Sequence, residues 1–381
     1  MRRWCLPPPW TREPGEMLEG MFVLEELPPD LALALWTAFR DVMLWAGTPE
    51  ERRAGLFSPG AEARRPRIDG ELRLPPALIP PLTTLATVVS HPGQVGEQVV
   101  SLSCLDVARW AREQRAMGTA VSFAQAAALA WPDAPGPALE VGRLLVEWGR
   151  LPRAETWLRR AIGLARRARD WESYGGAYVA LGEIYLRFAG RAAARDATQA
   201  ARRLEGAARF YEMASRVSRR HRLRQVRAQA MHGLMRVGME TGQLEQAERC
   251  AHLARRAYGR VHPRLPELEF DMTRLMMRRG EHERAIPVLQ RQIDMTADPD
   301  RRLACGAMLA RAAAEVGDRP LYERSWSAAW ALLDGRRSPA AADALVHLGR
   351  AAVRTTDWLR VQQVVRAFGE LPPDPSPSPA A

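Results

Sequence analysis

One phrase recurs along this chain from about residue 101: a helix, a turn that contains glycine, and a second helix with small or aromatic residues at fixed offsets. Gly149, for example, is followed by Ala154, Leu158 and Ala161. The same phrase starts at Gly118, Gly242, Gly280 and Gly317. Seven copies fit residues 101–371, with 31 to 39 residues from turn to turn where the copies are clean. A single helix pair cannot bury its apolar face alone, so the copies must stack on one another.

Small residues mark the places where the two helices of a copy come together. Gly142, Gly182 and Gly349 each lie seven residues before the turn position. Glycine lets two helix backbones approach to contact distance, and large apolar side chains fill the space beside it. No segment alternates β-branched and polar residues over the length of a strand. The sequence therefore predicts an all-α fold.

These features together resemble the tetratricopeptide repeat (TPR) family, whose repeats carry a Leu-Gly pair, a glycine turn, and then alanine, an aromatic residue and alanine. The pair stands here as Leu181-Gly182 and Leu348-Gly349. The resemblance covers about seven tenths of the 381 residues. It implies a right-handed α-solenoid of helical hairpins, as in bacterial TPR proteins, whose first helices line a concave groove that binds a peptide or partner protein. An ordinary α-helical bundle with Ala-rich helices is the alternative fold.

Composition divides the chain into four segments. Residues 1–20 are predicted to be an irregular N-terminal tail, and residues 21–100 a helical cap on the first repeat or, alternatively, a specialised module. Residues 101–371 are the predicted solenoid, whose second unit is enlarged at 186–206 by about 13 residues. Its helices are expected to be longer than their neighbours and to project. The proline-rich residues 372–381 are predicted to be disordered.

Within the cap, apolar residues at three- and four-residue spacing predict a helix that starts near Pro29. The segment Thr48-Pro49-Glu50-Glu51 has the pattern of a capping box with proline at the first helical position, so a second helix is predicted there. A third helix is predicted near Ala77 to Ser90.

Arginine recurs at one position of the repeat, immediately after the small residue of the first helix. We call this position the arginine column. It is occupied by Arg112, Arg143, Glu183, Arg236, Arg274, Arg311 and Arg350. The resemblance places it on the groove, and the columns four residues earlier and three residues later are mostly apolar. Such a groove suits a ligand with apolar and acidic groups, because arginine makes bidentate contacts to carboxylates.

The residue one turn after each column arginine gives a second interpretation. Glutamate stands there after Arg143, Arg236 and Arg311, and such pairs neutralise each other on a helix surface. Arginine stands there after Arg274 and Arg350, which is unfavourable unless an anion or an acid of another repeat lies between the charges. The sequence therefore favours Arg274, Arg278, Arg350 and Arg354 for ligand contact. The full predicted groove set is Arg112, Arg143, Arg236, Arg274, Arg278, Arg311, Arg350 and Arg354.

The positive charge of the chain is concentrated in one segment. The chain has 55 arginines and no lysine, a usage typical of a genome short of A/T-rich codons, so the net charge of +11 is weak evidence for nucleic acid. Residues 191–227, however, hold 11 arginines against three acids. The predicted basic patch is Arg195, Arg202, Arg203, Arg209, Arg216, Arg219 and Arg220. It is predicted to bind an acidic protein or nucleic acid, or to be a solvated face; its aromatic residues, Phe210 and Tyr211, are needed for repeat packing.

A DNA-reading helix and an active site are both disfavoured. The helix–turn–helix pattern from Val107 to Trp131 offers only Ser122 and Gln125 to base edges. The seven histidines and four scattered cysteines show no metal-ligand spacing, and no phosphate-binding or nucleophile motif is present. No metal, no cofactor and no catalysis are predicted.

The predicted protein is cytoplasmic and does not cross a membrane, because the sequence has no export signal and no apolar run of spanning length. The predicted function is a non-catalytic scaffold or interaction module that binds a peptide or partner protein in the groove. The alternative is a regulatory sensor whose solenoid binds a peptide and controls a nucleic-acid-binding activity.

Overall fold

The computed structural model describes residues 21–61, 74–193, 195–333 and 339–369. Every regular element in these residues is an α-helix or a short 3₁₀ helix, and they contain no strand. The predicted all-α fold is therefore confirmed. The tails predicted at 1–20 and 372–381 lie outside the described residues.

The chain divides into two compact units, and the boundary falls between Gly233 and Leu234, within one helix. The helices before the boundary are α1 (Met21–Glu25), α2 (Pro29–Gly47), α3 (Ile79–Ser90), α4 (Glu97–Glu113), α5 (Met117–Ala130), α6 (Pro135–Glu147), α7 (Leu151–Ala168), α8 (Trp171–Ala193) and α9 (Ala197–His221). Helix α10 (Arg224–Glu240) contains the boundary. It is followed by α11 (Leu244–Tyr258), α12 (Leu265–Arg278), α13 (His282–Met295), α14 (Pro299–Val316), α15 (Arg319–Leu333), α16 (Pro339–Arg354) and α17 (Trp358–Gly369).

Helices that follow one another pack as pairs in each unit. The N-terminal unit contains the pairs α4–α5, α6–α7 and α8–α9, and each pair also contacts the next one. The C-terminal unit contains α12–α13, α14–α15 and α16–α17, stacked in the same way. Stacked helix pairs are the building principle of an α-solenoid. The division of residues 101–371 into seven repeats stays a prediction.

The turns inside the pairs require a left-handed backbone, which glycine adopts without steric cost. Gly149, Gly242, Gly280 and Gly317 have φ values of +83°, +76°, +76° and +81°. These four glycines therefore form the turns that the sequence predicts.

Gly118 does not form the turn that its place in the pattern predicts. It lies inside α5, and the residue with positive φ in this pair is Arg115, at +63°. A Cβ atom at Gly118 would lie 2.4 Å from Cγ of Phe22, so the glycine allows α1 to approach α5. Glu26, which follows α1, accepts hydrogen bonds of 2.9 and 2.8 Å from the backbone N–H groups of Gly118 and Thr119 and so stabilises the start of α5.

Close approach of paired helices is confirmed at two of the three predicted small residues, while a Cβ atom at Gly349 would lie 3.3 Å from Cγ1 of Val364. A Cβ atom at Gly142 would lie 2.5 Å from Cδ2 of Leu158 on the partner helix. At Gly182 it would lie 2.7 Å from the ring of Tyr211. Real Cβ atoms essentially never come this near to another heavy atom, so both positions need glycine.

The described residues of the region 21–100 belong to the N-terminal unit. Val23, Leu35, Trp45 and Leu85 are fully buried in one core with Phe123 of α5. The predicted helices near Pro29 and up to Ser90 are present as α2 and α3.

The prediction of an α-helix that starts at Thr48 is wrong. A six-residue 3₁₀ helix, Glu50–Gly55, stands there instead, and the Thr48 hydroxyl donates 2.8 Å to the Leu44 carbonyl of the preceding turn rather than capping a new helix. Tertiary contacts of Arg53 hold this segment, because its guanidinium lies 3.9 Å from the Trp45 ring centroid and forms an ion pair of 2.9 Å with Glu97.

Helices α8 and α9 contain the enlarged segment 186–206 and have 23 and 25 residues. Counted from α4 they are the third helix pair rather than the second. Tyr211 of α9 is buried, and Phe210 packs edge-on against Tyr185 with ring centroids 4.9 Å apart. The described extra residues therefore lengthen the two helices on either side of their connection, and the aromatic pair is used for packing as the sequence predicts.

The core of the C-terminal unit combines small residues with two large rings. Helix α14 buries ten residues, which include Cys305, Gly306, Ala307, Ala310 and Ala313. Tyr322 and Trp326 of α15 fill the space that the small side chains of α14 leave.

Candidate binding surface

In the N-terminal unit, the column arginines face carboxylates. Nη1 of Arg112 lies 3.8 Å from Glu140, and Nε lies 3.8 Å from Glu147 on the same neighbouring helix. Arg143 also lies 3.8 Å from Glu140. These contacts are long and half-exposed, so each contributes little stability, but they supply a counter-charge to both arginines.

Most of the apolar groove lining that the sequence predicts is buried between helices. The buried members of the two flanking columns are Ala108, Leu139, His232 and Ala307 in the earlier one, and Val146, Leu186, Met239, Met277 and Ala314 in the later one. Val346 and Val353 of α16 are exposed at 41% and 54%. A ligand can therefore reach the apolar side chains of these columns mainly at α16, which corrects the prediction of an apolar lining along the whole groove.

Two arginines of the C-terminal unit that the sequence favours for ligand contact pair with acids of the preceding repeat. Arg278 donates to the Met239 carbonyl oxygen and lies 3.1 Å from a Glu240 carboxylate oxygen. Nε of Arg354 lies 3.2 Å from Glu315. The acid of another repeat, one of the two alternatives left open by the sequence, therefore offsets the charge of Arg278 and of Arg354.

These pairs belong to a pattern that the sequence analysis missed. The position one turn after the arginine column alternates in sign through the repeats as Glu147, Arg187, Glu240, Arg278, Glu315 and Arg354. In the N-terminal unit Arg187 donates 2.6 Å to the Val146 carbonyl, next to Glu147, just as Arg278 donates to Met239. Oppositely charged residues at this position form ion pairs between neighbouring repeats at Arg278–Glu240 and at Arg354–Glu315, whereas Arg187 forms its ion pair with Glu183 of its own helix. The alternation itself could have been read from the sequence as a change of sign at every repeat.

A buried carboxylate compensates two further members of the column. Asp271 is 5% exposed and lies 3.8 Å from Nε of Arg236 and 3.4 Å from Nη1 of Arg274. One carboxylate thus serves two guanidinium groups, which leaves a net positive charge at this point of the surface.

Arg311 and Arg350 differ from the other column arginines. In the part of the chain that the structure describes, neither guanidinium forms an ion pair or a hydrogen bond. Nε of Arg311 is buried. Burial lowers the pKa of Arg311 and the charge of Arg350 lowers it further, while Glu315 one turn along α14 acts in the opposite direction. Both charges therefore lack a direct partner.

The pKa of His347 on α16 is lowered by its burial and by the positive charges around it. Burial, followed by the charges of Arg311, Arg274, Arg350 and Arg278, lowers its pKa to about 3. Its Nδ1 atom is buried and has no hydrogen-bond partner among the described residues. We call Arg274, Arg311, Arg350 and His347 the arginine cluster; it has excess positive charge and is able to receive an anion.

An apolar groove adjoins the arginine cluster. It has a volume of about 540 Å³ and lies between α16 and α17, with Val346, Val353 and Phe368 in its walls and Arg350 at its edge. Val365 on the same face is 65% exposed. Charge and apolar surface thus meet at Arg350.

The predicted basic patch lies on α9 and, at Arg195, two residues before its start, and most of it is solvated. Arg195, Arg202, Arg209, Arg216, Arg219 and Arg220 are exposed. Arg209 and Arg216 lie 3.9 and 4.0 Å from Glu205 and Glu212 on the same helix. Arg203 is half-buried, 5.4 and 5.1 Å from the ring centroids of Tyr185 and Phe188. Since Phe210 and Tyr211 pack inward, the patch presents charge without the rings on which bases stack.

The helix that follows the turn in the predicted helix–turn–helix pattern is not available to DNA. Ser122 and Gln125 of α5 are 0% and 5% exposed. Ser122 donates 2.8 Å to the Gly118 carbonyl of its own helix. The packing of α5 in the core thus agrees with the expectation that these residues do not read bases.

Metal-binding groups and reactive thiols were sought among the described residues. They contain no group of three or more His, Cys, Asp or Glu side chains arranged to hold a metal ion. Burial raises the pKa of the Cys305 thiol to about 12 and also raises the pKa values of Cys104 and Cys250. None of the described helices combines the length and the apolar character that a membrane span needs.

No protein-family model and no curated protein matches the sequence. Among solved structures, the chain is similar to TTC0263, a TPR protein of Thermus thermophilus, with 19% identity over 55% of this chain and 98% of that chain and a TM-score of 0.45. It is also similar to the TPR-like repeats of a putative kinesin light chain from Podosopora anserina (19% identity, 53% and 95% coverage, TM-score 0.40). A third similar structure is PilF of Pseudomonas aeruginosa (14% identity, 62% and 93% coverage, TM-score 0.43). The chain is thus similar to TPR proteins, as its repeats predict, and a likeness of this size says nothing about a ligand.

Proposed function

We propose that the chain is a non-catalytic interaction module that binds an acidic segment of a partner protein at the arginine cluster of its C-terminal unit. The observation that supports this most directly is the pair Arg311 and Arg350, whose guanidinium groups form no ion pair or hydrogen bond among the described residues. Bringing a carboxylate to this site relieves the repulsion between the guanidinium groups and forms charge-assisted hydrogen bonds.

The groove beside Arg350 adds an apolar subsite to the proposal. Val346, Val353 and Phe368 offer exposed apolar surface within reach of the same bound segment. An acidic residue followed by an apolar one suits this surface, because the first is held by arginine and the second is removed from water.

The alternative function, a sensor that controls a nucleic-acid-binding activity, depends on the basic patch of α9. Two of its arginines have intrahelical acid partners, and a third covers aromatic rings of α8. These contacts favour a solvated structural face, so the alternative is kept only as an outcome of the experiment.

The test measures fluorescence anisotropy of a short fluorescein-labelled peptide of Glu and Leu at physiological ionic strength. Replacing both Arg311 and Arg350 by Gln is expected to weaken binding about tenfold or more, because two charge-assisted contacts are lost. The matched control is Arg319→Gln, since Arg319 is exposed on α15 and lies 3.6 Å from Glu323. Circular dichroism checks that the variants remain folded.

Two further probes separate the alternatives. A peptide with Gln in place of Glu is expected to bind weakly, and equal affinity for it would contradict recognition of charge. An oligothymidylate that binds more tightly than the acidic peptide, with an affinity unchanged in the double variant, would instead support the nucleic-acid function.

A further inference from the structure

A separate cavity of about 620 Å³ lies in the C-terminal unit, within the size range of small-molecule sites. It is formed by the side of α12 that runs from Pro266 to Met276, the C-terminal half of α13, Arg255 of α11, and the residues that lead into α14 together with its first turn. Of the residues of α13 only Ala285 and Leu289 are buried, so this side of the α12–α13 pair is open to solvent.

The apolar wall of the cavity is built mainly from methionine. Met272 and Met276 of α12 face Val288 and Met295 of α13 across it. Met295 is 73% exposed, so this wall is accessible from solvent. Methionine is flexible and polarisable, so such a wall adapts to an unbranched apolar chain.

The rim of the cavity has an excess of positive charge. Arg255, Arg291 and Arg301 line it together with a single carboxylate, Glu269, which lies 3.8 Å from Arg255. Arg301 lies over the ring of Phe270, 5.9 Å from its centroid. In the described part of the chain no ion pair is formed by Arg291. The rim is therefore complementary to one negative charge.

The polar groups in the wall are already satisfied by one another. The Thr273 hydroxyl donates 2.9 Å to the Glu269 carbonyl and accepts 3.1 Å from Nε2 of Gln292. Oε1 of Gln292 accepts 3.6 Å from Sγ of Cys305. Because these polar atoms already have hydrogen-bond partners, a ligand does not need to form hydrogen bonds with the wall. It needs a polar group only where it meets the arginines of the rim.

We propose that this cavity binds a linear alkyl carboxylate, with its chain along the methionines and its carboxylate at Arg291 and Arg301. The apolar wall and the uncompensated rim charge together select this chemistry over a neutral lipid or an organic cation.

The cavity is distinct from the arginine cluster that is proposed to bind the acidic partner. On α12 the cluster residue Arg274 is two positions from both Met272 and Met276, which is about 200° around the helix axis. The two sites therefore use different faces of α12, and occupation of one leaves the other open.

The test is isothermal titration of the full chain with sodium decanoate, with decyltrimethylammonium and decanol as probes of charge. Decanoate is expected to bind at one site per chain and tenfold or more tightly than either control. Arg291→Gln combined with Arg301→Gln is expected to weaken decanoate binding tenfold or more. Arg284→Gln, on the same helix and outside the cavity lining, is expected to leave it unchanged.

A variant that fills the cavity, Met276→Trp, is expected to abolish decanoate binding while the affinity for the acidic Glu/Leu peptide stays as in the wild type. Equal affinity for the cation and for decanoate would overturn the proposal, as would full decanoate binding in the Arg291 and Arg301 double variant. Displacement of the acidic peptide by decanoate would also overturn it, because the two ligands would then share the arginine cluster.

Discussion

Arg278 and Arg350 both belong to the groove set that the sequence predicts, yet their surroundings differ at the scale of single residues. Arg278 is held by Glu240 and by the Met239 carbonyl, and Arg350 has no ion-pair partner among the described residues. Glu240 precedes Arg278 by 38 residues, so spacing within one repeat does not reveal the pairing. The sequence analysis could locate the arginine column, but the division of its members into paired and unpaired charges depends on which repeats stack.

His347 provides a test of the potential at the cluster through the pH dependence of stability. Its pKa is about 3 in the folded chain and 6.5 as the ordinary value, so below pH 6.5 the unfolded state binds a proton that the folded state does not. Stability is therefore expected to fall as the pH decreases from 6.5 toward 3. His347→Gln is expected to reduce the loss between pH 7 and pH 4 by about 2 kcal/mol, with screening at this partly buried site taken into account.

The measurement is urea-induced unfolding of both proteins at several pH values. Above pH 7 the two curves of unfolding free energy against pH are expected to run parallel, which serves as the internal control. Parallel curves down to pH 4 would show that His347 titrates alike in the folded and unfolded chain, which would contradict the combined effect of its burial and of the neighbouring arginines.

At the scale of helices, sequence patterns predict the packing correctly where both contacting residues belong to the same helix pair. Gly142 and Gly182 are at the predicted close approaches, because both helices of the pair carry the pattern. Gly118 and Thr48 were misread, since their roles are decided by distant or competing groups. Phe22 approaches Gly118 from far along the chain, and the Thr48 hydroxyl bonds to its own preceding turn.

Two glycines of α8 allow a matched test of close packing. A Cβ atom at Gly182 would lie 2.7 Å from the buried Tyr211 ring, whereas Gly190 has no heavy atom within 4 Å of such a position. Gly182→Ala is expected to destabilise the chain by about 2 kcal/mol through overpacking. Gly190→Ala is expected to stabilise it by about 0.5 kcal/mol, because alanine has the higher helix propensity.

Thermal and urea unfolding measure both effects. Tyr211→Leu in the Gly182→Ala background is expected to cost less than it does alone, since the smaller side chain removes the overlap. A Gly182→Ala variant as stable as Gly190→Ala would contradict the close approach of α8 and α9.

For the whole molecule, the net charge of +11 says less about binding than the arrangement of the charges does. Most of the excess belongs to residues 191–227, where arginines are solvated or paired within α9. The arginine cluster contributes few charges, yet Arg311, Arg274 and Arg350 add to the effect of burial in lowering the pKa of His347. Composition and charge counts could predict neither this burial nor the cavity beside α12, since both arise from how the side chains of several repeats pack.

The effect of total charge on binding can be separated from the effect of local charge arrangement by comparing two sets of arginine substitutions. Replacing Arg202, Arg219 and Arg220 of α9 by Gln lowers the net charge from +11 to +8, whereas the Arg311 and Arg350 double variant lowers it only to +9. At physiological ionic strength charges are screened beyond about 8 Å, so the triple variant is expected to change affinity for the acidic Glu/Leu peptide less than about twofold. The double variant is expected to weaken it about tenfold or more. Anisotropy titrations over a series of salt concentrations measure this, and a larger effect of the triple variant would show that non-specific attraction to the basic segment governs binding.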